Sequence, residues 1–292
     1  MTTIEEYGWR GPVEPGIGRV VRSHGDYYHL VCNETSSEIV ARKKKSVFAG
    51  KDTKARLFSA RGVDTLERGE DVKTVPVTGD FVRFRYNAQG ESMITETLPR
   101  FSVFERKDSN ARRKSQILAV NFDSLFIMTS LNGNFSLPRI ERYLSLASVM
   151  GDARAYLVFT KADIPGEEEA RRVAAETGEM FGVEAFAISS LTGFGIDRVR
   201  ELAAPRATVA LVGSSGVGKS TLLNTLAGEE IAATMDIQEW SGKGRHATTS
   251  RSLFKLPSGA LVLDTPGVRE IGIVGETEEI RAKGMSTHRW RK

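Results

Sequence analysis

Gly213-Ser-Ser-Gly-Val-Gly-Lys-Ser220 follows the apolar run Thr208-Val-Ala-Leu-Val212 and opens a helical stretch from Lys219 to Ala227. The octapeptide fits G-x-x-x-x-G-K-[ST] in the strand-to-helix setting that gives this pattern its meaning. Glycines let consecutive backbone N–H groups turn inward around phosphate oxygens, and the helix N-terminus adds its dipole. Gly213, Ser214, Ser215, Gly216, Val217, Gly218, Lys219, Ser220 and Thr221 are therefore the expected phosphate-binding set. Lys219 is expected to span the β- and γ-phosphates and to stabilise charge during transfer, and the Ser220 hydroxyl to ligate Mg²⁺. The competing reading, a chance match in a Gly-rich turn, does not account for the flanking strand and helix.

Around this loop the chain alternates apolar strands with helical stretches. Leu125–Thr129, Ala155–Phe159, Ala185–Ile188 and Ala260–Leu263 are of buried-strand length; Leu137–Met150, Gly166–Phe181 and Ile196–Ala203 have helical patterning. Alternating β and α units imply an α/β domain with a mostly parallel sheet and helices on both faces, here assigned to residues 121–275. In such a sheet, loops after the strands gather ligands at the carboxyl edge.

Three such loops carry further chemistry. Thr160-Lys-Ala-Asp163 fits [NT]-K-x-D: the Asp163 carboxylate can accept from guanine N1–H and N2–H₂, a donor pair that adenine lacks, and Lys161 can lie along the base. Ser189-Ser190-Leu191 matches a loop whose backbone amide reads guanine O6. Asp264-Thr-Pro-Gly267 fits D-x-x-G, with Asp264 toward Mg²⁺ and the Gly267 amide toward the γ-phosphate. Each alone is also ordinary turn chemistry; together they specify a guanine nucleotide, GTP or GDP. The guanine-reading loops precede the phosphate loop, which is the reverse of the usual GTPase order. The domain is thus circularly permuted, an arrangement tolerated when chain termini lie close together.

The first hundred residues have another texture. Gly18–Val21, Tyr27–Val31, Lys54–Phe58 and Asp80–Tyr86 read as short strands without a convincing helix, so residues 1–100 are expected to form a small all-β OB-type barrel, an SH3-like barrel being the alternative. Val82, Phe84 and Tyr86 share one face of the last strand; Phe81, Arg83 and Arg85 share the other. Residues 101–120, rich in Arg and Lys, read as a basic linker, and 276–292 as a basic tail. The 292 residues suit two domains. Lys+Arg 41 against Asp+Glu 37 is compatible with a nucleic-acid partner without requiring one. A single cysteine, Cys32, excludes an intramolecular disulfide and leaves no multi-cysteine zinc site to be expected within the chain. No secretory signal or membrane-length apolar run is visible, so a cytoplasmic protein without a membrane partner is expected.

With its permuted motif order, Gly213-Ser-Ser-Gly-Val-Gly-Lys-Ser-Thr-Leu-Leu-Asn224 and Gly242-Lys-Gly-Arg-His-Ala-Thr-Thr249, the chain resembles the RsgA-type (EngC or YjeQ-type) GTPases. The resemblance implies an OB domain, GTP hydrolysis stimulated by the small (30S) ribosomal subunit, and a role in that subunit's late maturation through 16S-type rRNA. It also implies His246 as the catalytic side chain facing the water and Thr248 as a Mg²⁺ ligand, Thr249 remaining an alternative. Where the family reads His-Thr-Thr-Thr, this chain has His246-Ala-Thr-Thr249, and the cysteine- and histidine-bearing zinc domain that normally follows is not seen. Residue 268 is Val, which cannot orient water, so slow intrinsic turnover is expected. RNA contact is expected through Arg42, Lys43, Lys44, Lys45, Arg83, Arg85, Arg112 and Arg113, the bland alternative being a solvated charged face. A monomer is the default. The competing functional readings are a GTP-gated RNA-binding module with vestigial hydrolysis and a nucleotide kinase; Asp163 argues against the latter.

Overall fold

Apolar side chains that alternate along five central strands fix the main layer. A computed structural model describes residues 3–44, 74–106, 116–132, 135–230 and 251–265. Strands β8 (Ser124–Ser130), β9 (Arg154–Thr160), β10 (Ala185–Ala187), β11 (Thr208–Gly213) and β13 (Leu261–Asp264) lie in the order β10-β9-β8-β11-β13, every neighbouring pair parallel. Leu125, Ile127, Leu157, Phe159, Ala210 and Val212 face helices α1 (Leu137–Ala147) and α2 (Glu167–Phe181). The alternate residues Phe126, Met128, Tyr156, Val158, Val209 and Leu211 face α3 (Ile196–Leu202) and α4 (Lys219–Ala227). A period of two thus serves two cores, as a sheet covered on both faces requires. Sequence order reverses between β8 and β11, and the phosphate loop follows β11 at that reversal, where open α/β sheets bind their ligands.

Beyond β13 the sheet continues through antiparallel β12 (Ser252–Lys255) into β1 (Ile17–His24), by the pair Arg22↔Ser252. From β1 it curls through β2 (Tyr27–Cys32), β3 (Ile39–Lys43), β5 (Ser92–Thr97) and β4 (Phe81–Arg85), and β4 pairs back with β1. The order 1-2-3-5-4-1 closes a five-stranded OB-type barrel around Val20, Tyr28, Leu30, Cys32, Ala41, Val82, Phe84 and Ile94. Burial pushes the Cys32 thiol up to about 11, which leaves it an inert core group.

Several sequence-based expectations change here. The segment expected as a linker carries β6 (Val103–Arg106) and β7 (Gln116–Val120), an antiparallel pair. Phe104, Leu118 and Ala119 on it are buried in the larger core, and this burial holds the two strands despite the basic composition around them. Tyr86 is exposed, because β4 ends at Arg85 and the face that buries Val82 and Phe84 stops short of it. Phe81 is buried on the barrel's outer side, where Ile4, Ile17 and Trp9 cover it. Lys45, the strand read at Lys54–Phe58, Arg112, Arg113, His246, Thr248, Gly267 and the tail 276–292 lie outside the described residues.

Two buried polar clusters join the parts. Arg19 on β1 is fully buried and donates to the carbonyls of Tyr7, Gly79 and Asn121 and to the Thr208 hydroxyl at the foot of β11. Within the barrel, Arg100 and Asp80 form an ion pair whose side chains are 1% and 0% exposed; Asp80 accepts at 2.7 and 2.6 Å from the guanidinium and at 2.7 Å from the Val77 amide. Removing one member of such a pair strands a buried charge. Asp80→Ala is expected to lower unfolding free energy by about 3–5 kcal/mol in urea denaturation, whereas an unchanged midpoint would show that the pair does not hold the barrel.

Candidate nucleotide site

The carboxyl ends of β9, β10, β11 and β13 meet on one edge of the parallel sheet, and each carries one of the loops singled out in the sequence. Gly213 ends β11 so close to β8 that a Cβ there would lie 2.6 Å from the Met128 carbonyl oxygen. Gly218 adopts φ 103° and caps α4, so the chain turns directly from loop into helix and leaves the first-turn N–H groups facing outward. Val217 is buried and anchors the loop, while Ser215, Gly216 and Ser220 are exposed at its mouth. Lys219 folds over the loop, its Nζ donating to the carbonyls of Gly213 and Ser214 at 3.0 and 3.1 Å. Burial lowers the Lys219 pKa, and the charge of Asp264 opposes that shift.

Asp264 ends β13 beside this lysine. Burial pushes its carboxyl up to about 6, partly countered by Lys219. Its Oδ1 atom is enclosed and has no hydrogen-bond partner among the described residues. An orphaned carboxylate oxygen beside Lys219, with the exposed hydroxyl of Ser220 next in the chain, is the hard-oxygen donor set that suits magnesium, so these residues fit that ion. The next residue, Thr265, is buried and donates its hydroxyl to the Leu211 carbonyl at 2.6 Å, which ties the exit of β13 to β11.

The guanine-side loops are bound to the phosphate loop and to each other. Thr160 is buried and donates Oγ1 to the Val217 carbonyl at 2.6 Å, a bond that joins the two motifs. Lys161 adopts φ 61°, which swings the following turn so that Asp163 is exposed. The Ser189 hydroxyl donates to Asp163 Oδ1 at 2.5 Å and accepts from the amides of Leu191 and Thr192 at 3.3 and 3.2 Å. Ser189 is fully buried and acts by holding Asp163 and the 189–192 turn together, a role its sequence context did not disclose. Ser190 is half-buried and Leu191 is 83% exposed. The structure thus gathers Thr160, Lys161, Asp163, Ser189, Ser190 and Leu191 with residues 213–221 and Asp264 along one edge.

The basic residues of the barrel form a separate group. Ladder register places Tyr27, Arg42, Met93 and Arg85 in one row across β2, β3, β5 and β4, all on the outer face. Arg42 stacks on the Tyr27 ring at 4.3 Å and pairs with Glu91, Lys43 pairs with Asp26 at 3.0 Å, and Arg83 lies 3.4 and 3.6 Å from Glu14 and Glu96. Met93 and Tyr27 were not singled out from sequence; only strand register shows that they extend the arginine row. Among the described residues no group of three or more His, Cys, Asp or Glu is placed to hold a metal ion, and no helix is long and apolar enough to cross a membrane.

Ser189→Ala removes the contact that orients Asp163. Guanine-nucleotide affinity is expected to fall about tenfold, the loss of one charge-assisted hydrogen bond of about 1.5 kcal/mol. Calorimetric titration with GDP checks this, and wild-type affinity would assign Asp163 a position independent of Ser189.

The comparisons with known proteins bear on the family and the fold. A family model described as RsgA GTPase matches residues 97–274. The small ribosomal subunit biogenesis GTPase RsgA 2 of Lactiplantibacillus plantarum is 37% identical over 257 residues, covering 88% of this chain and 66% of its own. The RsgA 2 protein of Listeria monocytogenes is 34% identical over 278 residues, covering 93% and 72%. The chain thus spans about two thirds of the length of these relatives. Among solved structures, YjeQ from Thermotoga maritima superposes with a TM-score of 0.59 at 22% identity, over 88% of this chain and 76% of that one. YloQ, titled a circularly permuted GTPase, gives 0.52 at 19% identity, over 88% and 73%, and both likenesses concern the fold. On the family match and on relatives more than 30% identical over most of its length, the chain belongs to the RsgA GTPase family.

Proposed function

We propose that this chain binds GTP and GDP with magnesium at the carboxyl edge of its parallel sheet, hydrolyses GTP, and serves biogenesis of the small ribosomal subunit, the role stated in its relatives' names. The observation that carries the nucleotide reading is the Thr160 to Val217 hydrogen bond, which makes one continuous site of a guanine-reading loop and a phosphate loop. Phosphates would lie against the 213–218 amides and the start of α4, with Lys219 leaving its loop carbonyls to reach the β- and γ-oxygens. Ser220 and Asp264 would hold magnesium, and that ion would neutralise charge developing on the phosphate oxygens. Asp163 would take guanine N1–H and N2–H₂, and Lys161 would flank the base.

His246, Thr248 and Gly267 are proposed from sequence alone as the water-facing side chain, a magnesium ligand and the γ-phosphate amide. The barrel row Tyr27–Arg42–Met93–Arg85, with Lys43, Lys44 and Arg83, offers alternating cations and stackable surface of the kind that tracks a nucleic-acid backbone, and supports contact with 16S-type rRNA. Exposed ion pairs such as Arg42–Glu91 contribute about 0–1 kcal/mol and yield readily to phosphates. Lys45, Arg112 and Arg113 belong to the same proposal on sequence grounds, as do a cytoplasmic location, a monomeric state and the division into barrel, connecting segment and GTPase domain.

GTP turnover measured with and without purified small ribosomal subunits tests the whole reading. Slow basal turnover rising with added subunits is expected. Nucleotide-dependent subunit binding without any stimulation would overturn hydrolysis as the working step and leave a GTP-gated binding module. His246→Ala is expected to remove the stimulated turnover and to leave GDP affinity unchanged; equal stimulated rates in the two proteins would remove His246 from the chemistry. Asp163→Asn is expected to reverse base preference from GDP to xanthosine diphosphate, because an amide can donate to the C2 carbonyl that replaces the guanine amino group. Competition binding with the two nucleotides reads this out.

A further inference from the structure

Ser252 opens β12 directly opposite Asp264, and the two are Cα partners in the antiparallel β12–β13 ladder. Residues opposed in this way project to the same face with Cβ atoms about 4.5–5.5 Å apart. Ser252 is 3% exposed, and its Oγ atom, like Asp264 Oδ1, is enclosed without a hydrogen-bond partner among the described residues. Buried polar groups without partners are scarce in native proteins because each keeps its full desolvation cost. Here two of them are neighbours and complementary in chemistry: a hydroxyl that can donate faces a carboxylate that can only accept.

We propose that Ser252 is a positioning residue for the magnesium-nucleotide site, its hydroxyl donating to one oxygen of the Asp264 carboxylate and so turning the other toward the ion. This rests on the reading of Ser220 and Asp264 as the magnesium-holding residues. A carboxylate that serves a metal is itself hydrogen-bonded, and loss of the supporting partner costs about tenfold to a hundredfold in metal affinity. The arrangement also places the site one ladder pair from the barrel, because Ser252 is in turn the partner of Arg22 on β1.

The test is release of fluorescent GDP from the full chain at graded free Mg²⁺, for wild type, Ser252→Ala and Ser252→Thr, together with GDP affinity in EDTA and thermal unfolding of the nucleotide-free proteins. Wild-type release that ignores Mg²⁺ would overturn the magnesium reading itself, whatever Ser252 does. If wild type responds, Ser252→Ala is expected to need about tenfold or more Mg²⁺ for half-maximal retention, with EDTA affinity unchanged and a melting temperature no lower than wild type. Ser252→Thr, which keeps the hydroxyl, is expected to return toward the wild-type midpoint. An unchanged Mg²⁺ midpoint in Ser252→Ala, an equal loss of GDP affinity in EDTA, or a threonine variant as weak as alanine would each overturn the assignment.

Discussion

The position of the barrel depends on the burial of one arginine. Arg19 leaves β1 and enters no water: its guanidinium donates to a carbonyl of the N-terminal segment, a carbonyl of the turn before β4, the carbonyl of Asn121 just after β7, and the hydroxyl that begins β11. Burial draws its pKa down to about 9 against the pull of Asp123 and Asp80, so it remains charged at neutral pH. A buried cation of this kind is tolerable only while every acceptor is in place. The consequence is geometric: a guanidinium with a fixed fork sets the distance and angle between four chain segments at once. Asp123 strengthens the same joint by accepting from the Thr208 amide at 2.7 Å and pairing with Arg10, while the Arg10 guanidinium lies 4.2 Å over the Phe101 ring.

That joint lies at the amino end of β11, and the phosphate loop at its carboxyl end. Between them the strand is buried along its whole length and clamped by β8 and β13. A strand fixed at its foot by Arg19 and at its head by the close approach of Gly213 to Met128 presents the loop on a rigid support, which is what a site built from backbone amides needs. The guanine side is then positioned relative to the phosphate side through Thr160, so neither loop has an independent placement.

Much of this was legible in the residues. The phosphate loop, the guanine-reading motifs and the sheet of buried strands follow from period-two apolar runs bounded by Gly, Asp and Lys, and α4 has the bounds expected from Lys219 to Ala227. What escaped the reading was non-local. Strand β5, Ser-Met-Ile-Thr-Glu-Thr, has one apolar residue facing inward and gives almost no alternation; pairing with β3 and β4 makes it a strand. Basic composition concealed β6 and β7, whose identity depends on Phe104 and Leu118 reaching a core contributed by distant segments. Ser189 reads as a guanine-loop residue in sequence, and only the folded turn shows its hydroxyl spent on Asp163. Arg19 looks like an ordinary outward residue of a strand Gly-Arg-Val-Val, because nothing local announces that the other domain covers it.

The permuted order gives this covering a further meaning. A domain that begins at β8, in the middle of its own sheet, leaves β12 as the outermost strand on one side, and an unpaired strand edge invites association with other chains. Here β1 occupies that edge through Arg22↔Ser252, and the Thr78 hydroxyl donates to the Arg251 carbonyl at 3.2 Å just beyond it. The barrel therefore completes the sheet of the nucleotide domain as well as flanking it. Because β12 pairs with β13 along its full length, the barrel and the carboxylate of Asp264 belong to one backbone ladder. The outer face of the barrel and the phosphate edge are thus joined through paired strands, by Arg22↔Ser252 and then the β12–β13 ladder.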